Sequence, residues 1–553
     1  MWRKSLLHAC FLTLTLAVAV PAAAQSAGHS GTVEARPQLI RVTLGGDQDQ
    51  PVSGRLLVFA VPKAKADQQA HGKKVTYVDN NPFRPEQVAV AAQEVHHLVP
   101  GHSVVLDADA MAFPRKFSRL TPGSYDLQAV LDVHHGYAYD GRTAGDIVSA
   151  VTTATLGDQA AMPNVKLTRT LKDSPIWSVS DRLQSPPGTA EALALAHKHT
   201  DDVRFTSPAL TRFWGRPIQM RAFVVKPPGY AAHPDRHYPT AYWTHGFGAP
   251  TLHYMAYNAA KIYGLMKGGK MPPMIWVLLD QATPTGTTEF ADSVNNGPWG
   301  TALTRELIPH LESAYRMDAA ADGRFLVGHS SGGWSVLWLQ TRYPKVFGGV
   351  WSTAPDPVDF HDFVGTDLYA AHANVYRKPD GSPQPLMRMH GKVVATFEQF
   401  ARLERVLGPY GGQLASFEWV FSPRGKDGRP EQMFNRDTGA VDHAVVAYWR
   451  DHYDIVHRLE THWPQLGPEL DGKIHLYVGT ADTFYLDGPV HKLKAVLDDL
   501  HGKADIRFLQ GKTHFADLYT KGKNKDWLLE QMAWQMYHAA RPDAAVPAMD
   551  PAL

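Results

Sequence analysis

The stretch Phe325-Leu326-Val327-Gly328-His329-Ser330-Ser331-Gly332-Gly333-Trp334-Ser335-Val336-Leu337-Trp338-Leu339 decides how this chain is read. A short apolar run enters Gly-x-Ser-x-Gly at Gly328 to Gly332, and a helix-forming run leaves it from Trp334 to Leu339. Strand, sharp turn and helix in that order make a nucleophile elbow. The turn lifts the Ser330 hydroxyl above the strand end, and its strained backbone admits only small neighbours, here Gly328, Ser331, Gly332 and Gly333. A plain N-cap or turn serine is the alternative, and the flanking strand and helix favour the elbow.

A serine hydroxyl is a poor nucleophile at neutral pH, so it needs a base, and the base needs a group to fix its tautomer. After an elbow of this kind the acid comes next in the chain and the histidine last. Val478-Gly479-Thr480-Ala481-Asp482 places Asp482 just beyond an apolar strand, with Asp487 as its rival five residues on. Among 28 histidines, His514 stands out because it follows the strand-like Ile506 to Leu509 and precedes the helix-forming Trp527 to His538. The oxyanion of an attacked carbonyl also needs donors. The backbone N–H of Ser331 is one, and the turn His245-Gly246-Phe247-Gly248 after an upstream strand offers Phe247 N–H, or next Gly248. Trp299 is a candidate for the substrate pocket, with a buried structural tryptophan as the equal alternative.

Around these residues, from about residue 205 to 540, strands and helices alternate. Ile218 to Val225, Tyr238 to Thr244, Met274 to Leu279, Val350 to Ser352 and Lys473 to Val478 are strand-like, and Trp299 to Ala314 is helical. This pattern predicts an α/β architecture, a mostly parallel sheet with helices on both faces. The interval 355–470 exceeds one crossover and predicts a lid or pocket wall above the strand ends, with helices at Thr396 to Leu407 and Val441 to Leu459. Upstream, 38–170 holds short strand-like runs separated by turn residues, which predict an antiparallel β-sandwich-like domain. Residues 171–204 read as a linker with a short helix, and 541–553 as a frayed, disordered tail.

Residues 1–24 read as a secretory signal: Arg3 and Lys4, an apolar core from Leu6 to Val20, then Pro21-Ala22-Ala23-Ala24. A flexible leader, 25–37, would follow, and the chain is expected to be exported to the periplasm or beyond. The only cysteine, Cys10, falls inside the signal, so no disulfide is expected. Lys and Arg total 55 against 54 Asp and Glu, leaving a net charge of +1 and no field that would attract nucleic acid. Beyond the signal no segment is apolar for long enough to span a bilayer. His96-His97 and His134-His135 lie on strand-like segments where neighbours face opposite ways, which suits a metal poorly. Gly28-His29-Ser30-Gly31 mimics an elbow without its strand or helix.

Several segments together resemble the α/β-hydrolase family that includes esterase D, enterochelin esterases, feruloyl esterases and bacterial mycolyltransferases. They are Gly215-Arg216-Pro217, Val224-Val225-Lys226-Pro227-Pro228-Gly229-Tyr230, His245-Gly246, Glu306-Leu307-Ile308-Pro309, Gly328 to Gly333, and Tyr343-Pro344 with Phe347-Gly348. The resemblance implies an α/β-hydrolase fold over 205–540 and a serine carboxylic-ester hydrolase, with Ser330, Asp482 and His514 at the family's triad positions. No metal or organic cofactor is implied, and the partner is a small-molecule or glycan-linked ester. The chain departs from many members at Ser331, where they carry Met or another apolar residue, and in the length of 355–470. Transfer of the acyl group to a sugar or lipid, and non-catalytic binding of a polysaccharide, are the alternative readings. A peptidase of the prolyl-oligopeptidase type fits less well, since the leading β region is too short for a propeller.

Overall fold

The computed structural model describes residues 36–545, 547 and 550, except 46, 47, 158, 159, 181, 182, 249 and 250. The expected signal, nearly all of the leader and the Gly28 to Gly31 elbow mimic lie outside the described residues. The described residues from Pro37 onward pack as one compact unit that contains two large sheets.

The first sheet has nine strands: β1 (Leu39–Leu44), β2 (Val52–Pro62), β3 (Ala89–Leu98), β4 (Ser103–Asp107), β5 (Ala112–Phe113), β6 (Gly123–Asp132), β7 (Ile147–Ser149), β8 (Thr152–Leu156) and β9 (Asn164–Thr170). Their order is β4-β1-β9-β7-β6-β2-β3-β5, with β8 also paired to β6. The sequence predicts an antiparallel sandwich. Hydrogen bonding instead joins all nine strands in a single sheet, and β1 pairs with β9 in parallel. This sheet must curl, because β4 forms one edge and β3 lies next to the other, yet only the turn Val99 to His102 joins them. Strand alternation then divides the side chains. Leu56, Val58 and Ala60 of β2 face the core enclosed by the curl, while Leu57, Phe59 and Val61 face outward and are equally buried.

What buries the outward face comes from far along the chain. Leu403, Val406 and Leu407, on the helix Phe397–Leu407, pack against Leu57, Phe59 and Val90. The buried Arg55 of β2 donates to the carbonyl oxygen of Val406 through Nε at 2.9 Å and Nη2 at 2.8 Å, and pairs with Glu94 at 2.6 Å. That helix belongs to the interval read as a lid. It is packed into the molecule, with Phe360, Phe363, Phe417, Phe421 and Trp449 forming a continuous aromatic core beside Trp334.

The second sheet has eight strands: β10 (Thr200–Thr206), β11 (Gln219–Val225), β12 (Thr240–Thr244), β13 (Ile275–Leu279), β14 (Arg324–His329), β15 (Gly349–Thr353), β16 (Ile474–Gly479) and β17 (Ala504–Leu509). Their order is β10-β11-β13-β12-β14-β15-β16-β17, antiparallel over the first two pairings and parallel thereafter. Strands β12, β13 and β15 are buried along their whole length, as expected when helices cover both faces. The first strand of this sheet begins at Thr200, inside the predicted linker. Within the expected tail, Asp550 accepts from Trp527 Nε1 at 3.0 Å, and its N–H donates to Gln531 at 2.8 Å.

Candidate active site

From β12 the chain moves outward to β13 on one side, and from β14 to β15 on the other. The direction of winding therefore reverses between β12 and β14, which is where an open α/β sheet leaves a crevice beyond its carboxyl ends. The register aligns those ends: Thr244 opposes Gly328, His329 opposes Thr353, Thr353 opposes Tyr477, and Gly479 opposes Leu509. Five neighbouring loops consequently rise from one edge, and they carry Phe247, Ser330, Asp356, Asp482 and His514.

Ser330 sits between β14 and the helix Ser331–Arg342 with φ 59° and ψ −124°, a strained conformation for a residue with a Cβ. The surroundings fix it. Its N–H donates to Thr353 O at 3.0 Å, and its carbonyl accepts from Asp356 N at 3.1 Å. A Cβ at Gly328 would lie 2.0 Å from Gly332 O, and one at Gly246 would lie 3.1 Å from Ser330 Cβ. The predicted oxyanion turn therefore runs directly past Ser330. His245 holds that turn in place: its Nδ1 contacts Gly246 O at 2.7 Å, and its Nε2 accepts from Gln281 N–H at 3.1 Å. The ring of Phe247 stands edge-on to Tyr139 of the N-terminal region, with centroids 4.9 Å apart.

His514 and Asp482 meet as a buried pair, Nδ1 to Oδ2 at 2.9 Å. The other carboxylate oxygen of Asp482 accepts from the N–H groups of Phe484 at 2.8 Å and Leu486 at 3.2 Å. Burial alone would push this carboxyl up, but the imidazole and the two N–H groups together hold it below the usual aspartate value. The rival Asp487 faces elsewhere, with Oδ1 on Arg388 at 2.8 Å. His329, whose ring lies 4.6 Å from that of His514, is a different kind of histidine. Burial, with His514 beside it, pushes its pKa down to about 3, so it stays neutral.

The sequence reading missed the carboxylates behind Ser330. Asp356 accepts from Ser331 Oγ at 2.6 Å and contacts Ser330 Oγ at 3.4 Å. Ser335, one turn further along the helix, donates to Glu289 at 2.7 Å and contacts Gln281 at 3.1 Å. Burial raises both acids, and each feels a neighbouring carboxylate. The polar residue at 331 thus has its partner in Asp356. Asp356 follows the end of β15 just as Asp482 follows β16, a signal that was legible in the chain. Trp299 is only 5% exposed and donates its indole N–H to Asn296 O at 2.9 Å, which matches the buried-tryptophan alternative.

Residues 217–486 match the Esterase family model, described as "Putative esterase". No curated protein matches the chain. Among solved structures, a ferulic acid esterase is 13% identical, with 62% of this chain and 98% of that one covered at a TM-score of 0.36. Fluorophosphonate-binding serine hydrolase F of Staphylococcus aureus is 10% identical, covering 61% and 98% with a TM-score of 0.36. An S-formylglutathione hydrolase from Agrobacterium tumefaciens is 14% identical, covering 62% and 95% with a TM-score of 0.34. Residues 217–486, just under half of the chain, are thus similar to the Esterase family, a match that supports a carboxylic-ester hydrolase.

Proposed function

We propose that the chain is an exported serine esterase in which Ser330, His514 and Asp482 act as a triad. The buried 2.9 Å contact of His514 Nδ1 with Asp482, at the same sheet edge as the strained Ser330, carries this reading. Asp482 keeps the proton on Nδ1 and leaves Nε2 as the acceptor. Turning the Ser330 side chain from Asp356 toward the imidazole lets Nε2 take the hydroxyl proton as Oγ attacks the ester carbonyl. The N–H groups of Ser331 and Phe247 receive the oxyanion. Collapse of the tetrahedral adduct breaks the ester bond, and His514 returns the proton to the departing alcohol. A water molecule, deprotonated by His514 in turn, releases the acid and restores Ser330. His329 cannot substitute as base, because a group that neutral and that buried is a weak proton acceptor.

The test is release of p-nitrophenol from acetyl, butyryl and longer acyl esters by the mature chain beside Ser330→Ala. The substitution is expected to lower turnover by at least about a thousandfold. Equal turnover by the two proteins would overturn the proposal.

A further inference from the structure

Three phenylalanines from three separate parts of the chain form a cluster beside the His514 ring, which two of them touch. Phe484 lies two residues after Asp482, Phe515 follows His514, and Phe83 comes from the loop that precedes β3 in the N-terminal sheet. Phe83 is 5.6 Å from Phe515 and 6.2 Å from Phe484, and Phe484 is 6.2 Å from Phe515, all at tilted or edge-on angles. Phe484 stands perpendicular to the imidazole at 4.8 Å and Phe515 at 5.6 Å. The triangle faces solvent, with Phe515 44% exposed and the other two half-buried.

The loop that carries Phe83 is anchored. Asn81 Oδ1 accepts from Phe83 N–H at 2.9 Å, Arg84 N–H donates to Asn81 O at 2.9 Å, and Glu86 accepts from Gln399 at 2.9 Å. Gln399 lies on the helix that also covers the outer face of the first sheet. The Phe83 ring is thus held by a fixed loop against Phe484 and Phe515, the two rings that touch His514, and an exposed apolar cluster fixed at such a place calls for an occupant.

We infer that Phe83, Phe484 and Phe515 form the subsite for the alcohol portion of the ester, and that this subsite takes aromatic or bulky apolar alcohols. The inference rests on the triad reading above. The base that protonates the departing oxygen must lie against it, so the substituent on that oxygen extends from the His514 face and meets these rings. Tilted aromatic faces favour an aryl group over a small alkyl group. The N-terminal sheet then contributes to substrate choice.

The experiment compares kcat/KM for benzyl butyrate and ethyl butyrate by pH-stat, since the two alcohols are of comparable acidity and share one acyl group. The wild type is expected to prefer the benzyl ester, and Phe83→Ala to lower the benzyl-to-ethyl ratio about tenfold, mainly through KM. Phe83→Tyr should restore the ratio. Phe515→Ala, at an exposed position, should lower it likewise and keeps the inference testable if Phe83→Ala does not fold. A ratio near one in the wild type, or one unmoved by both alanine variants, would overturn the subsite and leave the triad standing. Ethyl butyrate turnover that survives in Ser330→Ala would instead overturn the triad reading, and the subsite with it.

Discussion

The two histidines near Ser330 show how position assigns chemistry. The rings of His329 and His514 meet at a tilt of 41°, yet only His514 faces a carboxylate that is itself held charged by two backbone N–H groups. Asp482→Asn removes that charge and can present an N–H to Nδ1, favouring the wrong tautomer. A fall in kcat of about 10⁴ at pH 7 is expected, and a fall below tenfold would assign Asp482 a packing role only. Glu289 supports a second prediction, about stability. Its carboxylate rests on the hydroxyls of Thr287 and Ser335, and burial, with Asp356 beside it, raises its pKa. Between the ordinary glutamate value of about 4.3 and its raised value, the folded state binds more protons than the unfolded one. Stability contributed by Glu289 is therefore full at low pH and is lost as pH rises through the raised value. Glu289→Gln cannot titrate, so its melting temperature should gain on the wild type between pH 6 and pH 9. Parallel pH profiles for the two proteins would contradict this.

At the scale of elements, the site depends on loops held at fixed heights above a common sheet edge. The hairpin Pro385–Met389 and Lys392–Thr396 supplies one such hold. Arg388 N–H donates to Thr483 O at 2.8 Å, its Nε donates to Asp482 O at 2.8 Å, and its Nη2 pairs with Asp487 at 2.8 Å. The interval 355–470 thus braces the loop of Asp482. Arg388→Ala should cost about 10- to 100-fold in kcat with little change in KM, because displacing a catalytic group by about 1 Å carries that penalty. Arg388→Lys should recover part of it, since a single ammonium cannot reproduce the forked contacts. A loss confined to KM would make the hairpin a pocket wall instead. Most strands of the second sheet were legible because buried parallel strands read as short apolar runs, as in Ile275–Leu279 and Ile474–Gly479. Elements whose identity comes from pairing were not. The Ala-rich Ala89–Leu98 is a strand because β2 lies beside it, and Thr200–Thr206 is a strand because β11 does. The single helix predicted from Val441 to Leu459 is two, because Asp454 leaves the first helix and caps the second by accepting from His457 N–H at 2.9 Å. Ser330, Asp482 and His514 could be read in order along the chain, whereas Arg388, Glu289 and Phe83 reach the site only through folding.

For the whole molecule, the contact between the sheets asks whether they unfold together. Arg55 is 7% exposed, and its guanidinium spans from Glu94 on the first sheet to the Val406 carbonyl on the helix that covers that sheet. Arg55→Ala leaves that carbonyl and the Glu94 carboxylate without this partner beside the apolar contact of Leu57 and Phe59 with Leu403 and Leu407. A cost of about 2–3 kcal/mol is expected. The chain offers separate reporters for its two halves. Of its 14 tryptophans all but Trp2 lie from Trp177 onward, so tryptophan fluorescence follows the second sheet. With Cys10 the only cysteine, Val105→Cys on the exposed side of β4, in a chain expressed from residue 25, gives a unique label on the first sheet. In urea the two signals should coincide for the labelled parent, as for one cooperative unit. Adding Arg55→Ala should separate them, with the β4 label changing first, since the curled sheet loses part of its cover while the second keeps its own core. Two separate transitions in the parent would show that the sheets fold independently, and that the Phe83 loop is brought to His514 by docking after each has formed.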